Sequence, residues 1–247
     1  MPISPNQGST AGGTTVNITG VNLAGASAVR FGSKLATIIA NTATSVTVIS
    51  PSGTGVVDVT VTTPGGTSNP LSFFYVGPPF KSGLSDVSGP LAGGNTVVIS
   101  GTGLSTASSV SFGANTVTPT VLSDSQISVV VPAGAAAGSV SVSVTTAGGT
   151  NNGLSYTYVD TPTISTLTPT SGPTSGGTTV TITGTALTTT QSVSFGGVVA
   201  PFGVVNSTTV TAITPPGTAG AVDVVITTSG GTATVVGGFT YVSGPGI

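Results

Sequence analysis

Ionisable side chains are scarce and widely spaced in this sequence. Asp58, Asp86, Asp124, Asp160 and Asp223 are the only carboxylates, Arg30, Lys34 and Lys81 the only cations, and there is no His, Cys or Glu. A serine nucleophile needs a neighbouring base, and here only a lysine or an aspartate is available. No catalytic residue is assigned. Asp58 and Asp223 occupy equivalent strand positions in separate parts of the chain, where Ser141 stands in between, so they read as solvated outward charges rather than an acid/base pair. Calcium needs six to eight oxygens. Asp86 and Asp160 bring one carboxylate each, so no metal and no cofactor is assigned. An amide crosslink between Lys34 and Asn41, assisted by Asp58, has its residue types in the first third of the chain, but the second and third copies are expected to carry no lysine within their sandwiches, and Lys34 reads as a surface lysine. Nucleic-acid binding needs clustered Lys and Arg, and three cations in 247 residues exclude it.

The elements that position these few groups follow from a repeat. Gly12-Gly13 recurs as Gly93-Gly94 and Gly176-Gly177, and Phe31-Gly32 as Phe112-Gly113 and Phe195-Gly196. Pro51, Pro132 and Pro215 follow in the same order, as do Gly65-Gly66, Gly148-Gly149 and Gly230-Gly231. Tyr75, Tyr158 and Tyr241 close each unit. Within a unit the apolar period is 2, the mark of half-buried strands. It runs through Val16/Ile18, Val46/Val48, Val57/Val59/Val61 and Phe73/Tyr75, with counterparts in the other two units. The repeated Gly-Gly before the last strand predicts a hairpin whose glycines supply positive φ. No ten-residue stretch has helical apolar spacing, and the β-branched content opposes one. The expectation is an all-β chain of three tandem immunoglobulin-like β-sandwiches spanning 1–79, 80–161 and 162–247. Short Pro-rich linkers predict an elongated rod.

The run from Gly12 to Leu23, followed by Val29-Arg30-Phe31-Gly32 and closed by Leu71 to Tyr75, resembles the IPT/TIG family of immunoglobulin-like domains, of the E-set type. The second and third units match through Gly93–Gly101, Phe112-Gly113 and Tyr156–Tyr158, and through Gly176–Gly184, Phe195-Gly196 and Phe239–Tyr241. The resemblance implies spacer and interaction modules, without catalytic residues.

Exposed aromatics are the remaining candidates for an interaction surface. Alternation turns Phe74 outward, and with Phe80 it flanks the first junction, where packing between units is the expected role; Phe202 follows Pro201 in the third unit. Only 3% of residues are charged, against about a quarter in ordinary soluble domains. Natural sandwiches guard their edge strands with lysines, prolines or bulges, and this sequence is expected to do little of that. The inference is a non-enzymatic structural subunit whose partner is itself or a scaffold, assembled into or decorating a filament, appendage or virion surface. The alternative is a cell-surface adhesin or carbohydrate-binding spacer, with a glycan or receptor as partner. No signal peptide and no membrane-spanning run occur in the sequence as given, and an extracellular or particle-surface location, on a virion, spore or cell appendage, is expected.

Overall fold

A computed structural model describes residues 1–245; the last two residues of the third expected unit, Gly246 and Ile247, lie outside the described residues. The first repeat contains β1 (Ile3–Ser4), β2 (Gln7–Ser9), β3 (Thr15–Thr19), β4 (Ala28–Phe31), β5 (Lys34–Leu35), β6 (Thr37–Asn41), β7 (Ser45–Ile49), β8 (Gly55–Thr63), β9 (Gly66–Thr67) and β10 (Leu71–Val76). One sheet has the order β1-β3-β7-β6 and the other β2-β10-β8-β4-β5, with β9 returning on β8. The chain passes from the first sheet to the second between Ser4 and Gln7, so β2 lies parallel to β10 while its neighbours are antiparallel. The second and third repeats each repeat the four-stranded and five-stranded orders. No helix occurs among the described residues.

Alternation decides what is buried. Val16 and Ile18 on β3, Val46 and Val48 on β7, Val29 and Phe31 on β4, Val59 and Val61 on β8, and Phe73 and Tyr75 on β10 form one core, while their strand neighbours face out. The third repeat has the same arrangement around Val180, Ile182, Phe195, Phe239 and Tyr241. Phe31 meets Phe73 edge-on at 4.9 Å between ring centroids, and Phe73 meets Tyr75 at 5.1 Å. Edge-to-face geometry suits the ring quadrupole. Each closing tyrosine also donates to the repeated proline: Tyr75 to the Pro51 carbonyl at 2.7 Å, Tyr158 to Pro132 at 2.8 Å and Tyr241 to Pro215 at 2.7 Å. That bond gives a buried hydroxyl its partner, and it explains why proline and tyrosine recur together.

In the second repeat Tyr156 replaces the core phenylalanine of its neighbours, and its hydroxyl meets the Asn95 side-chain amide at 2.9 Å. The positions equivalent to Asn95 are Thr14 and Thr178. A polar atom has entered this core together with its partner.

The described chain packs into two compact units. One comprises Met1–Ser85, Val97–Val129 and Ser141–Leu154; the other holds Asp86–Thr96, Val130–Val140 and the chain from Ser155 onward. The first unit therefore contains the joint that follows the first repeat, and the second contains the joint that precedes the third.

Candidate functional site

The three cations are each engaged with a backbone carbonyl. Arg30 donates to Ser33 O at 3.0 Å, Lys34 to Ser52 O at 2.8 Å and Lys81 to Val142 O at 2.6 Å. Lys81 corrects an expectation, because it lies within the second sandwich and is only 8% exposed. Its strand, Phe80–Leu84, pairs with Thr96–Thr102 at the sheet edge, which turns the side chain inward. Desolvation holds its ammonium below the ordinary lysine range. Asn41 is committed elsewhere than to Lys34: it accepts from Ala26 N at 3.1 Å and donates to Leu23 O at 2.8 Å.

Two of the carboxylates hold backbone amides. Asp124 accepts from the backbone NH groups of Gly103 at 3.2 Å and Ser105 at 3.4 Å; hydrogen bonds from the Ser105 side chain and these two amides depress its pKa. Asp223 accepts from Gly237 N at 2.8 Å, fixing the irregularity where the alternation of the last strand breaks. Asp58 is exposed on β8. Among the described residues no three His, Cys, Asp or Glu side chains gather.

Phe74, Phe80 and Phe202 are all exposed. Phe74 faces out between Gln7 and Val56, and Phe80 lies on its edge strand opposite Thr102. The first joint is instead closed by backbone, with Gly148 against Gly77. Phe202 lines a hollow of about 200 Å³ with Thr179, Pro201 and Thr211.

Two features carry no period-2 signal. The first is the outer strand of each four-stranded sheet: β6, Thr120–Ser123 and Phe202–Asn206. Each contains a bulge, at Ile38/Ala40, Val121/Ser123 and Val204/Asn206. Edges expected to be nearly unguarded thus have one of the devices that discourage strand addition. The extra residue is apolar every time and points into solvent: Ile39 is 54% exposed, Leu122 56% and Val205 61%. The second feature is a cleft of about 600 Å³ at the amino-terminal end of the first repeat, lined by Val21, Asn22, Leu23, Val61, Gly65 and Leu71 among others.

Two-sheet sandwiches repeated in tandem define an immunoglobulin-like modular protein. The IPT/TIG domain model matches residues 1–75, 79–158 and 162–242, and the chain belongs to that family. No curated protein matches it. Among solved structures it is similar to the plexin A4 extracellular region at 24% identity and TM-score 0.52, covering 87% of this chain and 20% of the plexin chain, so it spans a fifth of that relative's length. It also matches SGBP-B from a xyloglucan utilization locus of Bacteroides uniformis at 24% identity and TM-score 0.33, over 66% of this chain and 49% of that one. The Escherichia coli adhesin FdeC matches at 13% identity and TM-score 0.34, over 95% of each chain.

Proposed function

We propose that this chain is a non-enzymatic structural subunit that associates with copies of itself at a cell or particle surface, as part of a filament, appendage or virion. One observation carries the reading: the same edge strand of every repeat presents an apolar bulge residue, Ile39, Leu122 or Val205, to solvent. Scattered apolar side chains are ordinary on a surface. Recurrence of an exposed apolar bulge residue on the corresponding edge strand of all three repeats, at the same register in the second and third and two residues away in the first, on a chain with three cations and five carboxylates, is not scatter. The bulge opposes main-chain pairing with another strand, so the contact is made by side chains, which bury apolar area without needing complementary charge. Light scattering and negative-stain microscopy from micromolar to millimolar protein test it. Concentration-dependent, ordered assemblies are expected, and the triple variant I39K/L122K/V205K weakens association by about tenfold or more, an effect of about 1.4 kcal/mol. A wild-type protein that stays monodisperse across that range refutes the reading.

A further inference from the structure

The larger sheet of each repeat turns one face to the core and the other outward, and register makes the outer places comparable between repeats. Gly32, Gly113 and Gly196 donate backbone NH groups to the carbonyls of Asp58, Ser141 and Asp223 at 2.7, 2.8 and 2.8 Å, so these three residues share one place. Phe74, Thr157 and Thr240 share another, each paired with the short parallel strand at Gln7, Ser88 or Ser171. Arg30, Ser111 and Ser194 share a third, on the strand paired with β8 or its counterpart.

In the second repeat all three places carry hydroxyls, at Ser141, Thr157 and Ser111. In the third repeat two of them do, at Thr240 and Ser194, and the carboxylate at the remaining place is used within the chain, where Asp223 holds Gly237 N at 2.8 Å. The first repeat alone fills the three places with an aromatic ring, a carboxylate and a guanidinium. The fold does not call for them: Phe74 is 41% exposed where threonine serves twice, and Asp58 and Arg30 are exposed where serine serves. Among the described residues the Asp58 carboxylate holds no backbone amide. Arg30 gives one NH to Ser33 O at 3.0 Å, and most of the five donors of a guanidinium remain. That bond draws the guanidinium towards the turn after Phe31, where Gly32 lies opposite Asp58.

Pairing sets the three groups in consecutive outward rows. Phe74 lies between Gln7 and Val56; Asp58, two residues along β8 from Val56, faces Ser72; and Thr60, two residues further, faces Arg30. Two residues of strand advance about 7 Å, so apolar surface gives way to an acceptor and then to donors over about 13 Å.

Such a face selects its occupant. One positive and one negative charge in neighbouring rows cancel for an ion or a polyelectrolyte. An apolar protein surface pressed here would bury both charges without partners, which is costly. A neutral glycan meets each requirement. The C–H face of a sugar ring lies on Phe74 and Val56, while its hydroxyls, each both donor and acceptor, donate to Asp58 and accept from Arg30. Hydrogen bonds to ionised groups are roughly twice as strong as neutral ones.

We propose that the outer face of the first repeat binds a neutral glycan through Phe74, Asp58 and Arg30. The site lies on the larger sheet, away from the β6 edge that carries Ile39, so it adds a ligand to the proposed self-association without depending on it. An array of neutral, sialylated and sulfated oligosaccharides, followed by titration of the bound oligosaccharides, compares wild type, Phe74→Ala, Asp58→Asn, Arg30→Gln and I39K/L122K/V205K. Wild type and the triple variant are expected to bind neutral glycans alike, and each single variant to bind about tenfold or more weakly. Thermal midpoints of the single variants should match wild type, because exposed side chains contribute little to stability. A wild type that binds no neutral glycan, or only acidic ones, overturns the inference. Binding that survives all three single substitutions places the glycan elsewhere and overturns it too. A Phe74→Ala variant that loses self-association in sedimentation velocity while glycan binding is unchanged assigns this face to a second copy, with the same consequence.

Discussion

At the residue scale, one backbone position ties the three repeats together and yields a direct test. Asn22, Gly103 and Ala186 follow equivalent strands, and all are left-handed, with φ of 57°, 70° and 56°. Glycine takes this conformation freely and asparagine often does, but alanine is strained there by about 1–2 kcal/mol. Ala186→Gly should therefore raise the stability of the third repeat by about 1 kcal/mol, read as a shift in its denaturation midpoint. Gly103→Ala should lower that of the second repeat by a similar amount. The Tyr156–Asn95 pair makes a second test: Tyr156→Phe removes the partner of a half-buried amide and should cost about 1 kcal/mol. Adding Asn95→Thr restores the pattern of the other two repeats and should recover most of that loss in a double-mutant cycle. Lys81 sets a pH dependence. Its folded pKa lies below the unfolded value near 10.5, so the unfolded state binds more protons in between, and stability rises as pH climbs through that interval. Burial raises the phenols of Tyr75, Tyr156, Tyr158 and Tyr241, which has the opposite effect above about pH 10. The third repeat has Ile164 where the second has Lys81. Lys81→Ile should be more stable than wild type at pH 7 by urea denaturation, with the gap narrowing towards pH 10; a constant gap would show that Lys81 titrates normally.

At the element scale, legibility in the sequence followed the number of faces a strand buries. Strands with one face in the core alternate, so Val16/Ile18, Val46/Val48 and Phe73/Tyr75 could be placed without coordinates. Edge strands such as β6 and Phe202–Asn206 expose nearly every residue and leave no period to read, which hid both the bulges and the apolar residues they carry. The Gly-Gly before the last strand was legible as a hairpin but not as a joint. Only its second glycine has positive φ, 121° to 132° at Gly66, Gly149 and Gly231. In the second and third repeats the first, Gly148 or Gly230, is kept small by the arriving chain, and the clue was that two glycines recur where a turn strictly requires one. The joint can be probed by itself: Gly148→Ala and Gly230→Ala place a methyl on the carbonyls of Gly77 and Asp160. Overpacking of this kind costs about 1–3 kcal/mol. Both variants should lose exchange protection at the hairpin tip while their sandwich cores keep theirs.

At the scale of the whole molecule, the scarcity of charge sets how the proposed self-association should respond to solvent. All three cations are held by carbonyls of their own chain, at Ser33, Ser52 and Val142. They are poorly placed to recruit a second copy. The formal net charge of −2 is also too small for strong mutual repulsion. Association should therefore respond to solvent as apolar burial does. Raising NaCl from about 0.05 to 0.5 M shortens the screening length severalfold, yet the association constant should change by less than about twofold. Sulfate should strengthen association and cooling should weaken it, because apolar burial is favoured by excluded salts and loses driving force in the cold. Lowering the pH towards the pI of about 4.3 removes the residual repulsion, and assemblies should grow further there. A steep fall in association with NaCl would show instead that Asp58, Asp223 or another carboxylate meets a cation across the contact, which would relocate the interface to those charges.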